Sequence, residues 1–251
     1  MDSTVPDCLR LSVWSGPRNV STALMYSFRQ RADTTVVDEP LYGHYLSTTD
    51  AGHPGTAEVL EAMDGDGERV VREVLLGPCE RGVHFFKNMA HHLPGLHPAF
   101  LDEITNVLLV RDPTEMLPSL ARQLSSPTLR DTGLREQTII LDSVLARGGN
   151  PIVLDARSLL LDPPGVLRRA CAKLSIPFEE AMLSWPAGPK PEDGVWAEHW
   201  YHNVHASTGF APYKPPESPF PSRLEPLLEE CLPYYYRLRG YAIRAVRSGD
   251  G

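Results

Sequence analysis

The sequence predicts an α/β fold built on a parallel sheet, and three observations carry that prediction. Short apolar runs of strand character alternate with helical three- and four-residue periodicity from residue 9 to residue 174. The run at 104–110 is continuously apolar and bounded by polar residues, as suits a strand covered on both faces. At 9–31 a strand, a Gly-Pro turn and a helix follow one another directly.

Taken in order, residues 9–14 form the first strand, which stops at Ser15-Gly16-Pro17. From 18 to 31 the recurrence of Val20, Ala23, Leu24, Ser27 and Phe28 predicts a helix. Residues 34–37 are β-branched and form a second strand, ending in Asp38-Glu39-Pro40. A helical stretch at 56–76 is interrupted by the Asp64-Gly65-Asp66-Gly67 turn. Residues 83–86 are a third strand and 87–94 a loop. After the strand at 104–110, Asp112 reads as an N-cap, Pro113 as the first helical residue, and Glu115 stands at capping-box spacing. A helix at 134–147, a strand at 152–154 and a helix at 165–174 complete the alternation. The last helix begins near Ser222, with Glu225 at capping-box spacing and Pro233 expected to kink it. No repeat or composition break divides the chain. One domain is expected over 1–251, with its core at about 9–185 and a Pro- and aromatic-rich loop plus C-terminal helix at about 186–246.

Composition narrows the function classes. Hydrophobic residues at 42% and charged residues at 22% are globular values, which exclude disordered and fibrous architectures. The formal charge of −8 argues against broad binding to nucleic acid or an anionic membrane, so any bound anion needs a local cluster of cations. No apolar stretch is long enough to span a bilayer, and the N-terminus lacks a basic leader and an apolar h-region, so a cytoplasmic protein is expected. Cys8, Cys79, Cys171 and Cys231 lie far apart with no C-x-x-C pair, which predicts reduced thiols and neither a disulfide frame nor a zinc site.

The strand–turn–helix unit carries the first chemistry. A turn feeding a helix N-terminus presents unpaired N–H groups and a positive dipole end, both suited to phosphate. Arg18 adds a fixed charge, and Ser21 and Thr22 add hydroxyls. The same residues also suit a plain surface turn whose Ser and Thr cap the helix. A nucleoside-triphosphate loop is disfavoured: the Walker pattern begun at Gly16 needs Gly and Lys where Ser21 and Thr22 stand.

SGPRNVSTAL resembles the 5′-phosphosulfate loop of the sulfotransferases that use 3′-phosphoadenosine 5′-phosphosulfate (PAPS). Pro17, Arg18, Ser21, Thr22 and Leu24 fill matching places, while Asn19 and Val20 stand where Ser-Gly is usual. VLLVRDPTEMLPSL is similar to the family's 3′-phosphate site, a strand followed by R-[DN]-P with a Ser eight residues after the Arg; here these are Arg111 and Ser119. The family's late R-K-G loop is missing. Ser207 and Thr208 stand roughly where it would lie, as candidate phosphate donors. The stretch PIVLDARSLLLDPPGVLRRACAKLSIPF is similar to the family's late strand and helix.

The resemblance implies a three-layer α/β domain of the P-loop type that transfers a sulfuryl group from PAPS to a hydroxyl or amine of a small-molecule acceptor, releasing PAP and requiring no metal. It places the donor on Pro17, Arg18, Asn19, Val20, Ser21, Thr22, Arg111, Ser119, Ser207 and Thr208. Two residues are candidates for the general base: His92, in a segment resembling K-x-H-L-P with extra residues, and Glu39, resembling the Glu of bacterial and carbohydrate members. Glu39 is favoured, because a carboxylate directly after the second strand should reach the turn after the first. Simple pairing of Glu39 with Arg18, and an ordinary loop role for His91 and His92, are the competing readings. His199, His202 and His205 recur every three residues near Glu198, a weak zinc pattern that packing beside the acceptor pocket explains better. A non-catalytic nucleotide-binding module and a kinase-like P-loop enzyme are the alternatives.

Overall fold

The computed structural model describes residues 8–79 and 82–246. The N-terminal stretch on which the expectation about a leader rests lies mostly outside them. Six strands form one parallel sheet in the order β2-β3-β1-β4-β5-β6. They are β1 (Cys8–Ser15), β2 (Thr34–Asp38), β3 (Gly82–Met89), β4 (Thr105–Val110), β5 (Ile152–Asp155) and β6 (Ala242–Ile243). Strand alternation sends Trp14, Phe86 and Leu108 to one core, beneath helices Pro113–Leu120, Leu134–Ala146 and Glu225–Arg239. Val13, Phe85 and Leu109 face the other core, beneath helices Ser21–Arg29 and Pro163–Lys173. This is the expected three-layer α/β arrangement.

The chain passes from β3 to β4 across β1, so β1 lies at the point where connections change direction. Ligands of open α/β sheets bind at the C-terminal edge there. Across that edge stand, in order, the ends of β2, β3, β1 and β4. The buried Gln137 amide ties two of these ends together, donating to the carbonyls of Trp14 (2.8 Å) and Leu109 (3.0 Å).

Several expectations need correction. The first helix starts at Ser21 and not at residue 18, because Arg18 has φ +54° and lies in a loop. Lys87 is not in a loop: β3 continues through it to Met89, with Lys87 Nζ and Asn88 Nδ2 donating to buried partners. Asp112 does cap the helix Pro113–Leu120, accepting from the Thr114 N–H at 2.9 Å. Glu115 does not close the box; it accepts from Tyr213 Oη at 2.7 Å and faces Arg111. Ser222 sits in a 3₁₀ turn, and no side chain caps the final helix, which continues as one element through Pro233. A buried helix, Tyr42–Thr48, has no counterpart in the sequence reading, since Gly, His, Ser and Thr dilute its pattern.

The free-thiol expectation fails for two cysteines. Cys8 and Cys79 form a disulfide, with Cα atoms 5.9 Å apart. Parallel pairing places Cys8 beside Gly82, and the chain entering β3 brings Cys79 against it across 71 residues of sequence. Cys171 and Cys231 are free and buried. No helix among the described residues is long and apolar enough to cross a membrane.

Candidate active site

A cavity of about 320 Å³ opens at the C-terminal edge of the sheet. Its lining includes every residue from Pro17 to Thr22, and also Glu39, His92, Arg111 and Ser207. Two sequence motifs nearly a hundred residues apart thereby meet. Arg18 Nε donates to Ser119 Oγ at 3.0 Å, and Arg111 Nη1 donates to the Arg18 carbonyl at 2.7 Å. Asn19, where the family has Ser, fixes the loop: Nδ2 donates to the Leu109 carbonyl (2.9 Å) and Oδ1 accepts from the Val20 N–H (2.8 Å). Gly16 is obligatory, since a Cβ there would collide with the Thr132 carbonyl.

The loop ends at Val20, which offers no side-chain cap to the following helix. First-turn N–H groups have no partner within a helix, so those of Ser21 and Thr22 suit an anion beside Arg18. Burial and the nearby Arg111 and Arg122 charges lower the Arg18 pKa. Cations crowded together in this way are a place for an anion. Ser207 is held by the Val204 carbonyl and Trp185 Nε1. Thr208 is exposed and stands outside the cavity lining.

The side of the cavity formed by the ends of β2 and β3 is different. Lys87, only 2% exposed, donates from Nζ to Asp38 Oδ1 (2.8 Å), to Glu39 Oε1 and to Tyr201 Oη (2.6 Å). Tyr201 in turn donates to Asp38 Oδ2 at 2.7 Å and accepts from Trp196 Nε1 at 3.2 Å. Glu39 therefore pairs with Lys87 and not with Arg18. The sheet order explains this, because β3 lies between β2 and β1 and sets Asp38 directly beside Lys87. Burial raises the Glu39 pKa, Lys87 opposes that rise, and Asp38 adds to it. The two carboxylates hold Lys87 as an ammonium well above its ordinary range despite burial.

His92 is almost completely buried, stacked against Tyr42 (4.9 Å) and Tyr45 (4.7 Å). Burial pushes its pKa well below the ordinary value, and that of His91 down to about 3. Among the described residues their Nδ1 atoms have no partner. Arg18, Glu39 and Ser175 are the described non-glycine residues with positive φ, and the first two line the cavity. Such backbone costs roughly 1–3 kcal/mol per residue and gathers at functional sites.

The three spaced histidines do not converge. The helix breaks at Tyr201; His205 bonds Asp193 at 2.9 Å, and His199 faces Glu198 at 3.3 Å. Among the described residues no cluster of metal-ligating side chains is present. Lys87, Asp38, Tyr42, Trp196 and Tyr201 were not among the predicted site residues. A polar Lys at the end of an apolar strand is the one local signal that points to them.

Comparison with known proteins agrees with the geometry. The family description "Sulfotransferase domain" matches residues 9–242. Two Arabidopsis thaliana proteins named branched-chain-amino-acid aminotransferase-like proteins 2 and 1 are each 42% identical over 231 and 229 residues. Each match covers 91% of this chain but 41% of the relative, so the chain spans well under half of their length. The fold is similar to a sulfotransferase from Alicyclobacillus acidocaldarius, with TM-score 0.52, 16% identity, and coverage of 95% of this chain and 97% of that one. It is also similar to the sulfotransferase domain of the Synechococcus PCC 7002 olefin synthase, with TM-score 0.52, 16% identity, and coverage of 90% and 94%. With the family description matching nearly the whole chain, this protein belongs to the sulfotransferase-domain family.

Proposed function

We propose that this chain transfers a sulfuryl group from PAPS to a hydroxyl or amine of a small acceptor. The observation that carries the reading is the junction of the two motifs, in which Arg18 bonds Ser119 and Arg111 bonds the Arg18 carbonyl. The cavity beside that junction is lined by Arg18, Arg111 and the first residues of the helix Ser21–Arg29, with Ser119 reached through Arg18, and it is large enough for a ligand. PAPS carries anions at both ends of its ribose, and the residues present fit them. Arg111 and Ser119 suit the 3′-phosphate, and the Pro17–Thr22 loop suits the 5′-phosphosulfate.

Catalysis in this scheme rests on position and charge. Glu39 accepts the proton as the acceptor's oxygen or nitrogen bonds to sulfur. The bond from sulfur to the 5′-phosphate oxygen breaks, and its electron pair leaves on that oxygen. Arg18 stabilises the charge growing there. Lys87, itself fixed by Asp38, holds Glu39 in place; among the described residues no other charged side chain lies within bonding distance of Glu39. An aminotransferase reading draws no support from this site. Such enzymes form a Schiff base on a lysine, whereas Lys87 is held protonated between two carboxylates.

The test is incubation with PAPS and a panel of hydroxyl and amine compounds, following PAP release and sulfated product together. Product formation that requires both Arg18 and Glu39 is the expected result. Tight PAPS binding without transfer to any acceptor and without slow hydrolysis supports the binding-module alternative.

A further inference from the structure

Away from Arg18 and Arg111, the cavity is walled largely by aromatic rings, and among the described residues that line it no cation is free to meet an acid. Tyr42 is the hub of this wall. It stacks on His92 at 4.9 Å, meets Trp196 edge-on at 5.2 Å and lies 5.8 Å from His53, which faces Trp200 at 6.3 Å. Two of these rings come from the Pro- and aromatic-rich segment, which Tyr201 fastens over the sheet edge through Asp38.

The charges facing this half can be followed element by element. Lys87 from β3 is engaged by two carboxylates, Asp38 from β2 and Glu39 just after it, leaving one negative charge in excess. Asp131, from the helix Leu129–Thr132, faces the exposed Arg130 at 3.7 Å. His53, His91 and His92 are all held below their ordinary pKa by burial and present neutral rings at neutral pH. The free Nδ1 atoms of His91 and His92 offer hydrogen bonds, not charge.

We infer that this aromatic half is an acceptor subsite that selects small molecules with a flat apolar body and no acidic group. The inference rests on the donor reading, because a seated PAPS engages Arg18 and Arg111 and leaves a carboxylated acceptor facing like charge. An ammonium on the acceptor meets aromatic faces and a carboxylate, and is accepted.

The experiment uses three phenols of one ring size with PAPS at neutral pH: para-ethylphenol, tyramine and para-hydroxyphenylacetate. The carboxylated phenol is expected to show kcat/KM at least about tenfold below the neutral one, with tyramine no worse than neutral. Asn203 lines the cavity and is exposed, so Asn203→Arg supplies the missing cation and should narrow that gap. A carboxylated phenol turned over as well as the neutral one overturns the inference, as does a gap that Asn203→Arg leaves untouched. If none of the three is turned over, quenching of tryptophan fluorescence with PAP present ranks their binding. The same ranking, weakened by Trp200→Phe, supports the subsite; equal binding or no binding overturns it. Absence of any stabilisation by PAP removes the donor reading and this inference with it. A wrong ranking with PAP bound removes the inference alone.

Discussion

The two halves of the cavity are built on opposite plans. The half proposed to hold the donor, at the ends of β1 and β4, is assembled from short continuous motifs whose cations are half-buried and only partly satisfied within the protein. The half at the ends of β2 and β3 is assembled from distant residues whose charges are fully buried and already paired. An arginine left near other cations is a binding group waiting for an anion. A lysine enclosed by two carboxylates and a tyrosine is a framework member. The comparison teaches that charge at a site edge signals ligand binding only when the protein has not already answered it.

That contrast can be broken by substitution. The largest effect on stability is expected at Lys87. Lys87→Met leaves Asp38 and Glu39 buried without their cation, which should cost about 3–5 kcal/mol in chemical denaturation. A loss below about 1 kcal/mol would show that the cluster is more hydrated than its geometry implies. Arg18→Ala should scarcely move the denaturation midpoint but lower turnover by on the order of 10², or about 2.7 kcal/mol of barrier. Arg18→Lys should retain measurable turnover. Equal loss of stability in Lys87→Met and Arg18→Ala would erase the distinction between the halves.

Gln137 bridges the ends of β1 and β4, so Gln137→Leu removes a donor from the Trp14 carbonyl and from the Leu109 carbonyl, of which the latter keeps Asn19, and should cost roughly 1–3 kcal/mol. It should also weaken PAP binding, because those strand ends carry Arg18 and Arg111. An unchanged affinity for PAP would show that the loop is positioned without it.

The smallest effect in energy concerns pH. The folded-state pKa of Glu39 is raised, so turnover through this base should fall away as pH drops through a value above the free carboxylate's roughly 4.3. A His92 base would behave in the opposite direction, its acid limb lying well below the free imidazole's roughly 6.5. The limbs thus approach one another, and substitution must separate them. Glu39→Gln should abolish most turnover and His92→Asn should not; the reverse would assign the base to His92.

How far the sequence was legible follows from the same contrast. The two segments that meet at the cavity were readable as strand–turn–helix units because each is local: a strand, a turn and a helix start carry Arg18, Ser21 and Thr22, and Arg111 and Ser119 share one strand–helix unit. The parallel sheet was readable from the apolar runs. The Lys87 cluster was not, because its partners are 48, 49 and 114 residues away and a polar strand end resembles a loop. The expectation that Glu39 stands beside Arg18 followed chain order, whereas sheet order sets β3 between them. The Cys8–Cys79 bond was hidden for the same reason.

Binding of PAP, measured as thermal stabilisation against AMP and ATP, tests the central claim most directly. At a hundredfold excess over its dissociation constant PAP should stabilise the fold by about 2.7 kcal/mol. AMP and ATP, which lack the 3′-phosphate assigned to Arg111 and Ser119, should do much less at the same concentration. Arg111→Ala should remove most of the PAP effect, while Arg130→Ala, an exposed arginine outside both motifs, should keep it. Equal stabilisation by PAP, AMP and ATP, or a full PAP effect in Arg111→Ala, would contradict the assignment of the donor site.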